Sequence, residues 1–592
     1  MKSKITRMLL AVMVVAMTYG CSDELNITPD GRLTLDIIFS DSDYTEQYAN
    51  SMYEYIRKYG NGYHYYTWLS AFTDDATDSQ APADTWLMLH QWNQGNFSAA
   101  NPPFMAGSTT LRYSERDFWG TAFGGVRKTN VFLTRVNNMN MPNEVKRDRY
   151  MAEAHVLRAH YYFELIKNFG GVPLFAEDIT RRDNFADIER ASFDDCVQFI
   201  VKDCDEAIAS RELPFRTMED GQRGRMTKAV AYFIKASALL FAASPHWNPS
   251  NDAVKWQAAA TAAKEALDQL VSHGYQLFPN YERFFITRPD KNQDPLDKET
   301  ILEAIDTWGY GSQTYRRFGV ICYLMNMIPV DFASEKCGLC PSQELVDSYE
   351  MKDGTVPILG YNDDAHTKPI INPASGYDDQ KPYVDRDPRF YASVWYNGAY
   401  FGKKDGRDIY IESFVGGKHG ISGIKQRTPT GYYTRKYVDP SMRSAGSSKT
   451  LWRIYRLAEL YLDLAEAENE ANGPTQIAYD AVNATRRRAG MPDMPTGLTK
   501  DEFRERVRRE RRVEMAFEEN RFYDLRRWNI LVENSRLKTG MRWTKAADGT
   551  LSNERILSVD CHATANEKYY LLPIDLKEII RMPLVKQNPG WE

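Results

Sequence analysis

Apolar residues recur every three or four positions through several long stretches of the chain. In "AEAHVLRAHYYFELIKNFGGVP" (152–173), Ala154, Leu157, Tyr161, Leu165 and Phe169 fall on one helical face. Gly170-Gly171 then permits positive φ, and Pro173 prevents the helix from resuming. The same period predicts helices over 192–211, with Ser192 as N-cap, and over 226–243 and 256–270. A later pair is predicted over 452–471 and 475–489. Starts near 145, 192, 225 and 254 suggest stacked helix pairs with roughly tetratricopeptide spacing, without that repeat's full consensus. Residues 273–451 break the pattern. They are rich in Gly, Pro, Asp and Tyr, and loops with small sheets are expected there. Residues 60–112, which hold Trp68, Trp86 and Trp92, read the same way.

The first twenty residues carry a different signal. Lys2, Lys4 and Arg7 precede an apolar run at 8–17, which is too short to span a bilayer. Gly20 and Cys21 follow it. The layout resembles a bacterial lipoprotein signal, cleaved before a cysteine that receives lipid, although Thr18 and Tyr19 depart from the usual pattern. An ordinary signal peptide with an incidental cysteine is the alternative. Ser22-Asp23-Glu24 resembles the surface-export signal of Bacteroidetes lipoproteins, and it also suits a solvated tether. The expected organisation is a signal at 1–20, a lipidated tether at 21–39 and a single domain at 40–592.

Charge and composition narrow the function. The formal charge of −6 becomes −9 without residues 1–20, which argues against nucleic acid as a ligand. Aromatic residues make up 13% of the chain, including 36 Tyr and 12 Trp, side chains favoured at wet binding surfaces. Cys196 and Cys204 lie eight apart on one predicted helix, about 12 Å, too far to bridge. Cys337 and Cys340 form a lone C-x-x-C without a second ligand pair, so a local disulfide or two thiols is expected rather than zinc.

Charged motifs read as structural. Residues 501–528 hold nine Arg against eight Asp or Glu, and interleaved signs cancel the field a phosphate reader needs. Glu502–Arg506, Glu505–Arg509 and Arg506–Glu510 stand at i,i+4, so pairing along the helix is expected. "DRDPRF" (385–390) suggests an ion-pair cluster. His155 and His160 point roughly 140° apart on a helix and cannot share a metal. Glycoside hydrolysis needs two carboxylates facing one bond, and no motif selects such a pair; Asp74-Asp75 diverge. No metal, cofactor or catalytic residue is therefore expected. Sugar capture needs flat rings and hydrogen-bonding side chains. Residues 74–97 offer Trp86 and Trp92 beside Asp74 and Asn93. Residues 303–318 offer Trp308 and Tyr310 beside Arg316. Core packing competes with ligand contact for each ring.

Nine segments in order resemble the SusD/RagB family of nutrient-binding lipoproteins. They include "EAHVLRAHYYFELIKNFGGVPL", "CPSQELVDSYEMKDG", "WRIYRLAELYLDLAEAENE", "RRERRVEMAFEENRFYDLRRW" and the closing "YYLLPIDLKEIIRMPLVKQNPGW". The resemblance implies a mainly α fold with four tetratricopeptide-like helix pairs as scaffold, assigned here to about 40–59, 115–272 and 452–530, and a variable ligand region at 273–451. It also implies an outer-membrane, lipid-anchored lid that faces outward. Such a lid binds an oligosaccharide or polysaccharide, sometimes a peptide or glycopeptide, and delivers it to a SusC-like TonB-dependent barrel. A surface glycosidase and a structural adaptor are the readings from other classes. The expected ligand residues are Trp86, Trp92, Trp308, Tyr310, Asp74, Asn93 and Arg316, with Cys21 lipidated.

Overall fold

The computed structural model describes residues 34–56, 68–79, 88–104, 117–217, 220–287, 296–304, 338–404, 406–422, 427–438 and 452–592. Helices dominate. The first regular ones of the scaffold are α1 (Ser42–Ser51), α2 (Phe118–Arg135), α3 (Glu144–Phe169) and α4 (Phe193–Ala209). They continue as α5 (Lys228–Ala243), α6 (Ala253–Ser272), α7 (Leu457–Asn472), α8 (Gln476–Arg488), α9 (Lys500–Glu514) and α10 (Asn520–Arg527). Each boundary has a local cause. Ser192 caps α4 by accepting from Asp195 N, Thr227 caps α5, and Gly170, at φ 75°, ends α3. α7 starts later than the periodicity predicts because residues 453–456 are strand.

Helices α2 to α6 pack each on the next, and α7 then packs against α6 although Ser272 and Leu457 are far apart in sequence. The intervening segment leaves the array and returns to close it. α7 is also the helix against which α8 and α9 pack. Its buried face carries Leu457, Leu460, Leu464 and Ala467, so the helix rejoins the array through apolar contacts at helical spacing. Among the described residues a main apolar core runs from Ala49 to Trp591, with two smaller clusters beside it. Close approach in it is specific: a Cβ on Gly125 of α2 would meet the Tyr161 ring of α3 at 2.4 Å.

The 273–451 stretch is held by short strands that pair over long range. β1 (Ala76–Asp78) pairs antiparallel with β3 (Leu339–Pro341), and β2 (Thr300–Glu303) pairs with β4 (Arg453–Arg456). A longer hairpin, β5 (Leu537–Lys545) and β6 (Leu551–Asp560), follows α10. Its turn carries Asp548-Gly549, with Gly549 at φ 88°, a local hairpin signal that the expectations from sequence did not include.

The i,i+4 pairing expected along α9 does not occur. Glu502 instead closes a capping box with Thr499, Arg506 reaches Glu350 at 3.5 Å, and Glu510 binds Arg389 at 2.5 Å and Arg486 at 3.1 Å. The cause is packing. This helix packs among other elements, so Arg506 and Glu510 meet partners outside it, while the pairs along the helix, Arg504–Asp501 and Arg508–Glu505, stand at i,i+3 rather than i,i+4. Arg389 of "DRDPRF" joins Asp387, Glu510 and Glu514, and Arg386 donates to the carbonyls of Pro382, Val346 and Tyr349. His155 binds Asp203, whereas His160 binds Tyr455.

Candidate functional site

Four segments of the chain start or end at one junction. Ser79 N donates to Gly338 O at 2.9 Å, and Gly338 N donates to Ser79 Oγ at 3.0 Å. Ala304 N donates to Trp452 O at 2.9 Å. Trp68, Tyr437 and Trp452 form one aromatic cluster, with Trp68 and Trp452 edge to face at 5.3 Å and Tyr437 stacked on Trp452 at 5.6 Å. Thr434 Oγ1 ties this cluster's strand to β3 by donating to Leu339 O at 2.8 Å. Residues 57–67, 80–87, 305–337 and 439–451 are flanked by these contacts. Trp86, Trp308, Tyr310 and Arg316 belong to those segments and lie outside the described residues, as do Cys21 and Cys337. The scaffold thus brings together the chain ends from which both predicted ligand segments depart.

Buried ion pairs hold the junction from beneath. Asp74, just before β1, receives two hydrogen bonds from Arg521 at 2.9 and 2.8 Å. Arg512 binds Asp75 at 2.7 Å and Asp74 at 3.0 Å. Burial alone would raise the Asp74 pKa, but Arg512 and Arg521 outweigh it and hold it at about 2. Asp75 is shifted upward by burial and by its neighbour Asp74, against the pull of Arg512. On the opposite flank, Arg456 of β4 binds Glu299, Glu514 and Glu518. Lys436 donates to Tyr281, Ala516 O and Glu518, and burial lowers its pKa to about 8 despite Glu518. α9 and its C-terminal turn therefore anchor the approaches to three of the four segments.

Three predicted ligand residues are described, and all three are corrected by this arrangement. Trp92 is 3% exposed, with its ring edge-on to Phe72 at 5.4 Å and Tyr569 at 4.9 Å, so neither face is open to a sugar. Asn93 is buried with its amide oxygen beside Cys561 Sγ. Asp74 spends its acceptor capacity on two guanidiniums and is 2% exposed. These residues build the base of the junction and not its ligand surface. Sequence reasoning missed Arg512, Arg521, Lys436 and Arg456 as the anchors, since their partners are remote in sequence.

Perturbed carboxylates also occur away from the junction. Glu459 is raised to about 7, by burial and by Asp463 and Asp524 against Arg511. It lines a crevice of about 50 Å³ with Asp463 and Asp524, whereas small-molecule sites run to roughly 300 Å³ or more. Among the described residues no group of His, Cys, Asp and Glu could hold a metal ion, and no helix is long and apolar enough to cross a membrane.

Comparison with known proteins finds SusD-like relatives in sequence and in fold. Residues 34–240 match a family model described as starch-binding and associating with the outer membrane, and residues 306–591 match the SusD family model. The chain is 22% identical over 548 residues to the SusD-like protein P25 of Formosa agariphila, covering 90% of this chain and 91% of that one. A crystal structure of a SusD-like protein from Bacteroides fragilis superposes with a TM-score of 0.73 at 28% identity, covering 94% and 98%. A SusD-like carbohydrate binding protein from the same species is similar in fold, with a TM-score of 0.69 at 23% identity and coverage of 93% and 100%.

Proposed function

The chain belongs to the SusD family, and from that premise we propose that it captures a glycan at the cell surface without altering it. The observation that carries this reading is the junction. Four segments, two of them bearing Trp86 and the Trp308, Tyr310 and Arg316 group, depart from one base built of buried ion pairs and packed rings. Trp86, Trp308 and Tyr310 would stack on sugar rings, and Arg316 would bond hydroxyl groups. Binding sites on loops over a rigid scaffold need no moving frame to keep their specificity. Lipid on Cys21 would tether the protein to the outer membrane, facing out, where it would close as a lid on a SusC-like TonB-dependent barrel and pass the glycan inward. Several acyl chains together give a firm anchor.

Titration calorimetry of residues 22–592 against plant, fungal and host polysaccharides and peptides tests the capture. Heat with a glycan, lost in Trp86→Ala and Trp308→Ala and without product on chromatography, is the expected result. Heat with peptides alone would replace glycan capture with peptide capture, and product formation would replace it with hydrolysis. Cys21→Ala should abolish metabolic labelling with lipid; unchanged labelling would refute the anchor.

A further inference from the structure

A separate pocket lies on the helical array, built from elements that take no part in the junction. On α2, Trp119, Phe123, Val126 and Asn130 recur at spacings that keep them on one face. The chain leaving α3 turns at Gly170 and passes over that face, contributing Phe175 and Phe185. Helix α11 (Leu576–Arg581) contributes Glu578 and Arg581. A cavity of about 400 Å³ remains between them. That is within the roughly 300–1,000 Å³ of small-molecule sites.

The lining combines two chemistries. One wall is aromatic: Trp119 and Phe123 are 4.8 Å apart and Phe123 and Phe175 are 6.0 Å apart, centre to centre. The rest mixes neutral side chains, among them Asn130, Thr180, Ile179 and Met582, with three cations. Arg127, Arg182 and Arg581 line the pocket, and Glu578 is its one carboxylate. The Arg581 guanidinium lies over the Phe185 ring at 4.3 Å, and that of Arg182 at 5.8 Å. Arg182 is paired with Asp187. Among the described residues Arg127 and Arg581 have no ion pair within 4 Å, although burial pushes the Glu578 carboxyl up and the Arg581 charge acts on it to oppose that shift. A neutral sugar would use the rings and leave these guanidiniums idle. A bare inorganic anion would use the guanidiniums and leave the rings uncovered. A sugar ring carrying an anionic group uses both, since its C–H face suits the aromatic wall and a carboxylate or sulfate oxygen pair suits a guanidinium fork.

We propose that this pocket is a second carbohydrate site that takes an acidic sugar unit, with the ring against Phe123 and Phe175 and its anionic group between Arg127 and Arg581. The inference rests on the reading of the protein as a glycan binder and adds a ligand class that the junction does not specify. Modification of arginines by phenylglyoxal, read by peptide mass spectrometry on the whole mature chain, tests it. Oligogalacturonate or a sulfated galactan oligosaccharide should protect Arg127 and Arg581, and a neutral galactan oligosaccharide should not. Protection by the first alone identifies a carboxylate ligand, and by the second alone a sulfate ester. The double variant Arg127→Ala, Arg581→Ala should bind the protecting sugar at least about tenfold more weakly, equivalent to about 1.4 kcal/mol. Protection should persist in Trp86→Ala and Trp308→Ala, so failure of the junction reading and failure of this one are separable. Equal protection by acidic and neutral sugars, no protection by either acidic probe, or undiminished affinity in the double variant would overturn the proposal.

Discussion

At the scale of the residue, the same side chain means different things in different surroundings. Asp74 has the chemistry of a sugar-hydroxyl acceptor, and the fold uses it as a counterion. Removing it as Asp74→Ala leaves Arg521 buried without its carboxylate and deprives Arg512 of one of two partners. A loss of about 3–5 kcal/mol is expected, as for breaking a buried ion pair, and urea denaturation would measure it. An unchanged midpoint would contradict the anchoring role. Gly125 is a second case. Its missing Cβ admits the Tyr161 ring, whose hydroxyl donates to Met52 O at 2.5 Å. Gly125→Ala should cost about 1–3 kcal/mol through overpacking, visible as a lowered thermal midpoint.

At the scale of the element, α9 shows how a helix is started locally and employed remotely. Thr499 and Glu502 satisfy each other's end of its first turn. Thr499→Ala should therefore cost about 1 kcal/mol in equilibrium denaturation, with little effect on ligand binding. The other end is used differently, because Glu510 and Glu514 bind guanidiniums from three other elements. Both features use the same charged residue types. The capping box has a local signal, Thr and Glu three apart, but the expectation from sequence set Glu502 against Arg506 instead. The ion pairs have no such signal, because Arg389, Arg456 and Arg486 approach from chain segments whose position no local pattern reports.

At the scale of the molecule, buried ionisable groups make stability depend on pH with opposing signs. Asp74 is depressed in the fold, so its contribution is present above the ordinary carboxylate pKa of 3.8 and is lost as pH falls toward 2. Glu459 is raised to about 7 from 4.5, so the folded state holds a proton the unfolded chain gives up. Its contribution is full below pH 4.5 and declines as pH rises to 7. Glu459→Gln should accordingly flatten the fall in denaturation midpoint over that interval. A slope equal to that of the unaltered protein would show that Glu459 does not titrate there.

Helix positions, their caps and the Gly-Gly-Pro stop after Phe169 were determined by the sequence alone, because helical period and terminal hydrogen bonds involve residues within one or two turns. The aromatic excess was legible too, but its division between core and surface was not. Trp92 has its ring enclosed by Phe72 from the preceding stretch and Tyr569 from near the C-terminus, and only folding brings these together. The junction is likewise a product of tertiary structure. Ser79 meets Gly338, and Ala304 meets Trp452, through strand pairs whose register depends on the helical array behind them. Local interactions set the helices; burial and charge neutralisation between distant segments decided which residues support the site and which segments are left to form it.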